Sequence, residues 1–136
     1  MDKETRQNTE AAFDPEKVTV QQTGSRYQDT IEKYRMIYDH HTHTIYSHGK
    51  GTIEDNVKVA AARGLKSIAI TDHGPGHLTY GIDMEKLPQM RRDIAAIKDA
   101  FPQVEILLGV EANTLRVAPY LDVLPEDGDK FDILLA

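Results

Sequence analysis

Ser67-Ile68-Ala69-Ile70-Thr71-Asp72-His73 is the stretch that decides the fold. Its first five residues are small or branched, without polar alternation, the pattern of a strand covered on both faces in a parallel sheet. The run then breaks into an acid and an imidazole, and parallel α/β sheets carry their ligands beyond the carboxyl ends of their strands. Upstream, Thr52 and Asp55 have capping-box spacing. Ile53, Val57, Ala60 and Ala61 recur at helical intervals, and Gly64 suits the left-handed residue that ends a helix. A helix over about 53–63 is predicted. Earlier still, Tyr34-Arg35-Met36-Ile37-Tyr38 is β-prone and predicts a first strand that gives way to a polar loop rich in His and Thr.

Downstream, Asp83 is placed to cap a second helix in which Met84, Leu87, Met90, Ile94, Ile97 and Phe101 form one apolar face. Pro88 is tolerated there only near the start, and Pro102 closes the helix. Val104 to Val110 reads as a third strand ending at Glu111. After a connection rich in Pro and Asp, Phe131 to Ala136 begins a fourth. The order βαβαβ-loop-β, with right-handed crossovers, makes the strands parallel and sets the helices outside. The fold class is therefore α/β, either an open sheet or a sector of a barrel.

The chain has 136 residues, 40% of them hydrophobic, enough for one core. Residues 1–33 lack apolar periodicity and are expected to form a flexible polar tail ending in a short helix, with 34–136 the folded unit. The balance of 16 basic against 22 acidic residues, −6 overall, contains no long run of one sign, which disfavours nucleic acid or an anionic membrane as the main partner. The opening MDKETRQNTE has no apolar leader character, and no segment approaches the ~18 apolar residues of a membrane span, so a cytoplasmic protein is expected. There is no cysteine, which leaves His, Asp and Glu as the available metal ligands.

All six histidines, His40, His41, His43, His48, His73 and His77, fall between positions 40 and 77. His41-Thr42-His43 is a His-x-His pair, and in extended backbone residues two apart point the same way, so both rings reach one cation. Read alone, the pair is more often two partly exposed surface histidines than a metal site. Asp39 is placed to accept an imidazole N–H and fix a tautomer, or else is an exposed strand-end acid. His73-Gly74-Pro75-Gly76-His77 brings backbone close to a ligand or makes an ordinary tight turn. Glu111 ends an apolar run, where a buried carboxylate needs a cation or several hydrogen bonds. His48 is a further candidate ligand. Lys50 is a candidate contact for an anionic substrate, although a solvated surface lysine is the commoner case. Neither a serine-nucleophile elbow nor a phosphate-binding Gly-Lys loop occurs. The remaining chemistry is that of hard and borderline cations held by N and O ligands.

Tyr38-Asp39-His40-His41-Thr42-His43-Thr44, Ser47-His48-Gly49, Ile70-Thr71-Asp72-His73-Gly74-Pro75 and Gly109-Val110-Glu111-Ala112-Asn113 together resemble the PHP family, the polymerase and histidinol phosphatase superfamily, and within it the small stand-alone phosphatase-like members. The resemblance implies a distorted (β/α)7, TIM-like barrel with a multinuclear centre of zinc, manganese or iron that hydrolyses phosphoesters of small phosphorylated substrates. By the same resemblance His41 and His43 bind one metal, Glu111 bridges, His48 and His73 serve another metal, and Asp72 is a neighbouring support or a proton-handling catalytic residue. His77 and Lys50 are expected at the substrate. Family members continue into further ligand motifs after the fourth strand, so a partial barrel, truncated after about four strands, is expected, with self-association through the open sheet edge as one way of completing it. Two other functions fit parts of the pattern. One is a non-catalytic metal-binding or interaction module. The other is a metallohydrolase of C–N bonds, which also uses His-x-His after a first strand.

Overall fold

In the computed structural model, residues 35–115 and 120–136 are described; the N-terminal tail expected over 1–33 lies outside them. Four strands form one parallel sheet in the order β1-β2-β3-β4: β1 Tyr38–Thr42, β2 Ser67–Ile70, β3 Glu105–Glu111 and β4 Ile133–Leu135. Two helices, α1 (Ile53–Ala62) and α2 (Leu87–Ile97), make the crossovers. This is a sector of a TIM-like barrel, a partial α/β fold of the expected kind. Among the described residues no helix is long and apolar enough to cross a membrane.

The helices begin and end where their side chains satisfy free backbone groups. Thr52 accepts from the Asp55 N–H at 3.1 Å, and the Asp55 carboxylate accepts from the Thr52 N–H at 2.9 Å, completing the capping box of α1. Gly64, at φ +72°, takes the left-handed conformation, and the Leu65 and Gly64 N–H groups donate back to Ala60 and Ala61. Asp83 caps a single 3-10 turn over Met84–Lys86 rather than the α-helix itself. Pro88 explains the difference: it has no N–H with which to bond the Met84 carbonyl in an α-helical pattern, so the regular helix starts at Leu87.

Strand one is displaced from its expected place. Residues 34–38 were the β-prone run, but the pairing with β2 starts at Tyr38 and carries the polar Asp39-His40-His41-Thr42. Backbone pairing to the fully buried β2 outweighs the propensity of the side chains here. The register also breaks: Asp39 pairs with Ile68 but Thr42 with Ile70, so β1 holds one extra residue over this interval. A one-residue bulge inverts the side-chain alternation that follows it. Ile68, Ile70, Leu108 and Val110 face the helices and join Val57, Met90 and Ile94 in the core. Ser67, Ala69, Leu107 and Glu111 share the opposite face. Beyond the bulge His41 and His43 belong to that second face, which an unbroken strand would have given to His40 and Thr42.

Arg91 fastens this sheet from the side of α2. Its guanidinium donates to both Asp132 oxygens, at 2.6 and 3.1 Å, and to the Lys130 carbonyl at 2.9 Å. Asp132 Oδ2 also accepts from the Leu108 N–H at 2.8 Å, which joins the start of β4 to β3.

Candidate metal centre

The C-terminal ends of β1, β2 and β3 bring together every residue expected to bind metal. Glu111 Oε2 lies 3.1 Å from His41 Nε2, 3.2 Å from His43 Nε2 and 3.3 Å from His73 Nδ1. His48 comes from the loop after β1, and its Nε2 lies 3.1 Å from His73 Nε2. Two three-residue groups result, His41-His43-Glu111 and His43-His48-His73, with His43 in both.

Thr44 and Asp72 build the loop that carries His43 and His48. Asp72 is fully buried, and its carboxylate accepts from the Thr44 N–H at 2.7 Å, the Thr44 hydroxyl at 2.6 Å and the Ser47 hydroxyl at 2.5 Å. Asn56 on α1 donates to the His43 carbonyl at 3.0 Å. Tyr46 donates to Asp93 of α2 at 2.8 Å; burial first and then this bond push its phenol up to about 12. Gly49 closes the loop, because a Cβ there would lie 2.4 Å from the His43 carbonyl oxygen.

The donors fit a cation better than they fit one another. The Ser47 proton is committed to Asp72, an acceptor only, so Ser47 Oγ faces His43 Nδ1, 3.4 Å away, as an acceptor. The neutral tautomer that suits this contact carries its proton on Nδ1 and leaves the Nε2 lone pair facing Glu111. Burial, then the neighbouring His48 and His73 rings, lowers the His43 pKa and favours that neutral form. His73 is lowered chiefly by burial too, and its buried Nδ1 has no hydrogen-bond partner. Burial pushes the Glu111 carboxyl up, but the His41 hydrogen bond and the surrounding imidazoles outweigh it and hold the group below its usual value. Three imidazole nitrogens at 3.1–3.3 Å from one carboxylate oxygen match the spacing of ligand atoms around an ion. Metal–ligand bonds of ~2.1 Å place adjacent ligands ~3.0 Å apart in an octahedron and ~3.4 Å apart in a tetrahedron.

The other expected site residues have different positions. Asp39 accepts from the His41 backbone N–H at 3.3 Å, not from an imidazole, so it steadies the strand end. Asp72 has its oxygens taken up inside the loop; of the two roles implied for it, this geometry is that of a support, and its burial keeps it from handling a proton at a substrate. Lys50 is exposed on the same loop as His48. His77 stacks on His73 at 4.3 Å between ring centroids, and its Nδ1 accepts from the Tyr80 and Thr79 N–H groups at 3.0 and 3.3 Å.

Several structural partners had no signal in the sequence. Asp122 accepts from the Gly76 N–H at 2.7 Å and from the backbone and side-chain nitrogens of Asn113 at 2.7 and 2.6 Å. It ties the loop after β2 to the loop after β3, yet it sits in an acid-rich stretch where nothing distinguishes it from its neighbours.

A sheet sector with a His and carboxylate cluster at its strand ends defines an α/β domain of the barrel type whose cluster could hold a metal. Residues 39–136 match the PHP domain, and the chain belongs to the PHP family. A probable phosphatase of Caldanaerobacter subterraneus subsp. tengcongensis is 36% identical over 110 residues, covering 76% of this chain and 39% of that protein. Probable phosphatases of Acetivibrio thermocellus and Shewanella sediminis are 35% and 36% identical, each over 75% of this chain and 41% and 40% of their own lengths. The chain thus spans about two fifths of these relatives.

Proposed function

We propose that this chain carries the N-terminal part of a metal-dependent phosphatase that hydrolyses phosphomonoesters in the manner of histidinol phosphatases. The observation that carries the reading is the convergence of His41, His43 and His73 nitrogens on one Glu111 oxygen at the strand ends. His41, His43 and Glu111 would hold one divalent ion, and His48 and His73 would serve another. Zinc, manganese and iron all suit imidazole and carboxylate donors. When bound, such ions supply an activated water and neutralise charge on the phosphoryl group.

The chain's own residues orient and complement that chemistry. Asp72 and Ser47 hold the His43 ring in the tautomer that presents Nε2. With its Nδ1 engaged by two backbone amides, neutral His77 carries its proton on Nε2, a donor suited to a phosphoryl oxygen. Lys50 adds positive charge at the rim for an anionic substrate. The test is release of inorganic phosphate from a panel of phosphomonoesters by the metal-loaded chain, beside hydrolysis of cyclic amides. Metal-dependent phosphate release that disappears in Glu111→Gln is expected. Cyclic-amide hydrolysis in its place would overturn the reading in favour of a C–N hydrolase, and inactivity with retained metal would favour a binding module.

A further inference from the structure

The loop after β2 is pinned at both ends by bonds of its own. The Gly74 N–H donates to the Glu111 carbonyl at 2.8 Å, and the Ile82 N–H donates to the His73 carbonyl at 2.9 Å. The middle of the loop, which carries His77, is held from elsewhere. Asp122 Oδ2 accepts from the Gly76 N–H at 2.7 Å and from Asn113 Nδ2 at 2.6 Å, while Oδ1 accepts from the Asn113 N–H at 2.7 Å. The carboxylate lies over two glycines: a Cβ on Gly74 would come within 2.6 Å of both its oxygens, and one on Gly76 within 3.0 Å of Oδ2. Asp122 itself has a firm base. An antiparallel bridge joins Thr114 to Leu121, and the Asp122 N–H donates to the Asn113 carbonyl at 3.1 Å.

His77 follows Gly76 directly, and its N–H donates back to the Gly74 carbonyl at 3.1 Å, so the hold on Gly76 passes to His77. Its ring is oriented locally, by the Thr79 and Tyr80 N–H groups on Nδ1, and lies 4.3 Å from the His73 ring. Local bonds settle how the ring sits on its turn; Asp122 settles where that turn sits against His73.

We infer that Asp122 is a positioning residue: through the Gly76 N–H it sets His77 against His73, and with it the ring nitrogen that meets phosphate. The phosphate half of this rests on the phosphatase reading and deepens it by a residue that touches neither substrate nor ion. Because His73 and Glu111 keep their own backbone bonds, loss of Asp122 spares the ions and displaces His77 alone.

The test titrates the zinc-loaded chain with inorganic phosphate and follows the histidine ring protons by NMR. Asp122→Ala is expected to lose about 10-fold in phosphate affinity, as for one hydrogen bond to a charged group, with zinc content unchanged. The double variant Asp122→Ala with His77→Ala should bind no more weakly than His77→Ala. Asp122→Asn, whose amide oxygen can keep the bonds to Gly76 and to the Asn113 side chain, should stand closer to the parent. In Asp122→Ala the His77 ring protons should move toward the shifts of free histidine while those of His41 stay. Additive losses in the double variant, or loss of zinc in Asp122→Ala, would mean that Asp122 supports the fold at large, and the inference would be overturned. So would Asp122→Asn binding as weakly as Asp122→Ala. Failure of phosphate to bind the parent overturns the phosphatase reading, and the ring protons then decide on Asp122 by themselves: His77 shifts unmoved in Asp122→Ala overturn its positioning role.

Discussion

His43 Nε2 lies 3.2 Å from Glu111 Oε2, and the tautomer that Ser47 favours leaves this nitrogen without a proton. Ser47 dictates this from the other side of the ring, since its own proton goes to Asp72 and its oxygen is left to accept from His43 Nδ1. A lone pair directed at a carboxylate is unfavourable until a cation lies between them. The buried residues beneath the loop thus prepare the site before any ion arrives.

Removing this support is expected to weaken metal binding without touching a ligand. In Asp72→Asn, an amide nitrogen stands in for one carboxylate oxygen and cannot accept; with the amide oxygen kept at Oδ1 for the Thr44 N–H and Ser47, the buried Thr44 hydroxyl loses its acceptor, at a cost of about 2 kcal/mol. Urea denaturation at pH 7 checks that loss. Ser47→Ala keeps Asp72 and the Thr44 bonds, and its zinc affinity should fall about 10-fold or more, as when outer partners of metal-binding histidines are removed. Unchanged zinc affinity in a competitive chelator titration of Ser47→Ala would sink the tautomer argument.

Gly49 should be intolerant of even one methyl group. An added Cβ meets His43 and Thr44 backbone atoms at 2.4–2.7 Å, and backbone cannot swing aside as a side-chain tip does. Gly49→Ala is expected to cost about 1–3 kcal/mol and to displace both His43 and His48. Thermal melts with and without zinc distinguish the two effects: the variant should melt lower and gain less from the ion. A melt identical to the parent's in both conditions would show that the loop relaxes freely.

The Arg91–Asp132 pair predicts a pH dependence remote from the metal centre. Hydrogen bonding to Arg91 is the largest influence on Asp132; it and the Leu108 N–H outweigh burial and hold the carboxyl below its ordinary 3.8. A pKa depressed by folding contributes stability that is present above the unfolded value and is lost as pH falls through the folded one. Both side chains are more than a third open to solvent, or close to it, so the pair is worth about 1 kcal/mol or less. Arg91→Ala should be less stable than the parent at pH 7, and the gap should shrink below pH 3.8 as Asp132 protonates. Parallel urea curves at all pH values would contradict this.

Much of the fold was legible because its signals are local. The apolar runs around Ile68 and Leu108, the Thr52-Asp55 box and Gly64 each determine structure within a few residues. Strand one was misplaced because Asp39 to Thr42 adopt extended structure only through pairing with β2, which composition does not announce. The bulge was equally hidden, yet it turns His41 and His43 to the face of Glu111. The residues that cluster around Glu111 were recognisable as candidate donors from type and spacing. Their supports were not: Ser47, Asn56 and Asp122 are ordinary polar residues whose partners lie 4 to 46 positions away.

The central claim is that the cluster around Glu111 is a metal centre, and the direct test is the amount of zinc retained per chain, measured by mass spectrometry on untagged protein. The account predicts stoichiometric ion in the parent chain and a fall in both His41→Ala and Glu111→Ala, with circular dichroism unchanged. A folded parent chain that binds no ion, or variants that bind as much as the parent, would contradict it.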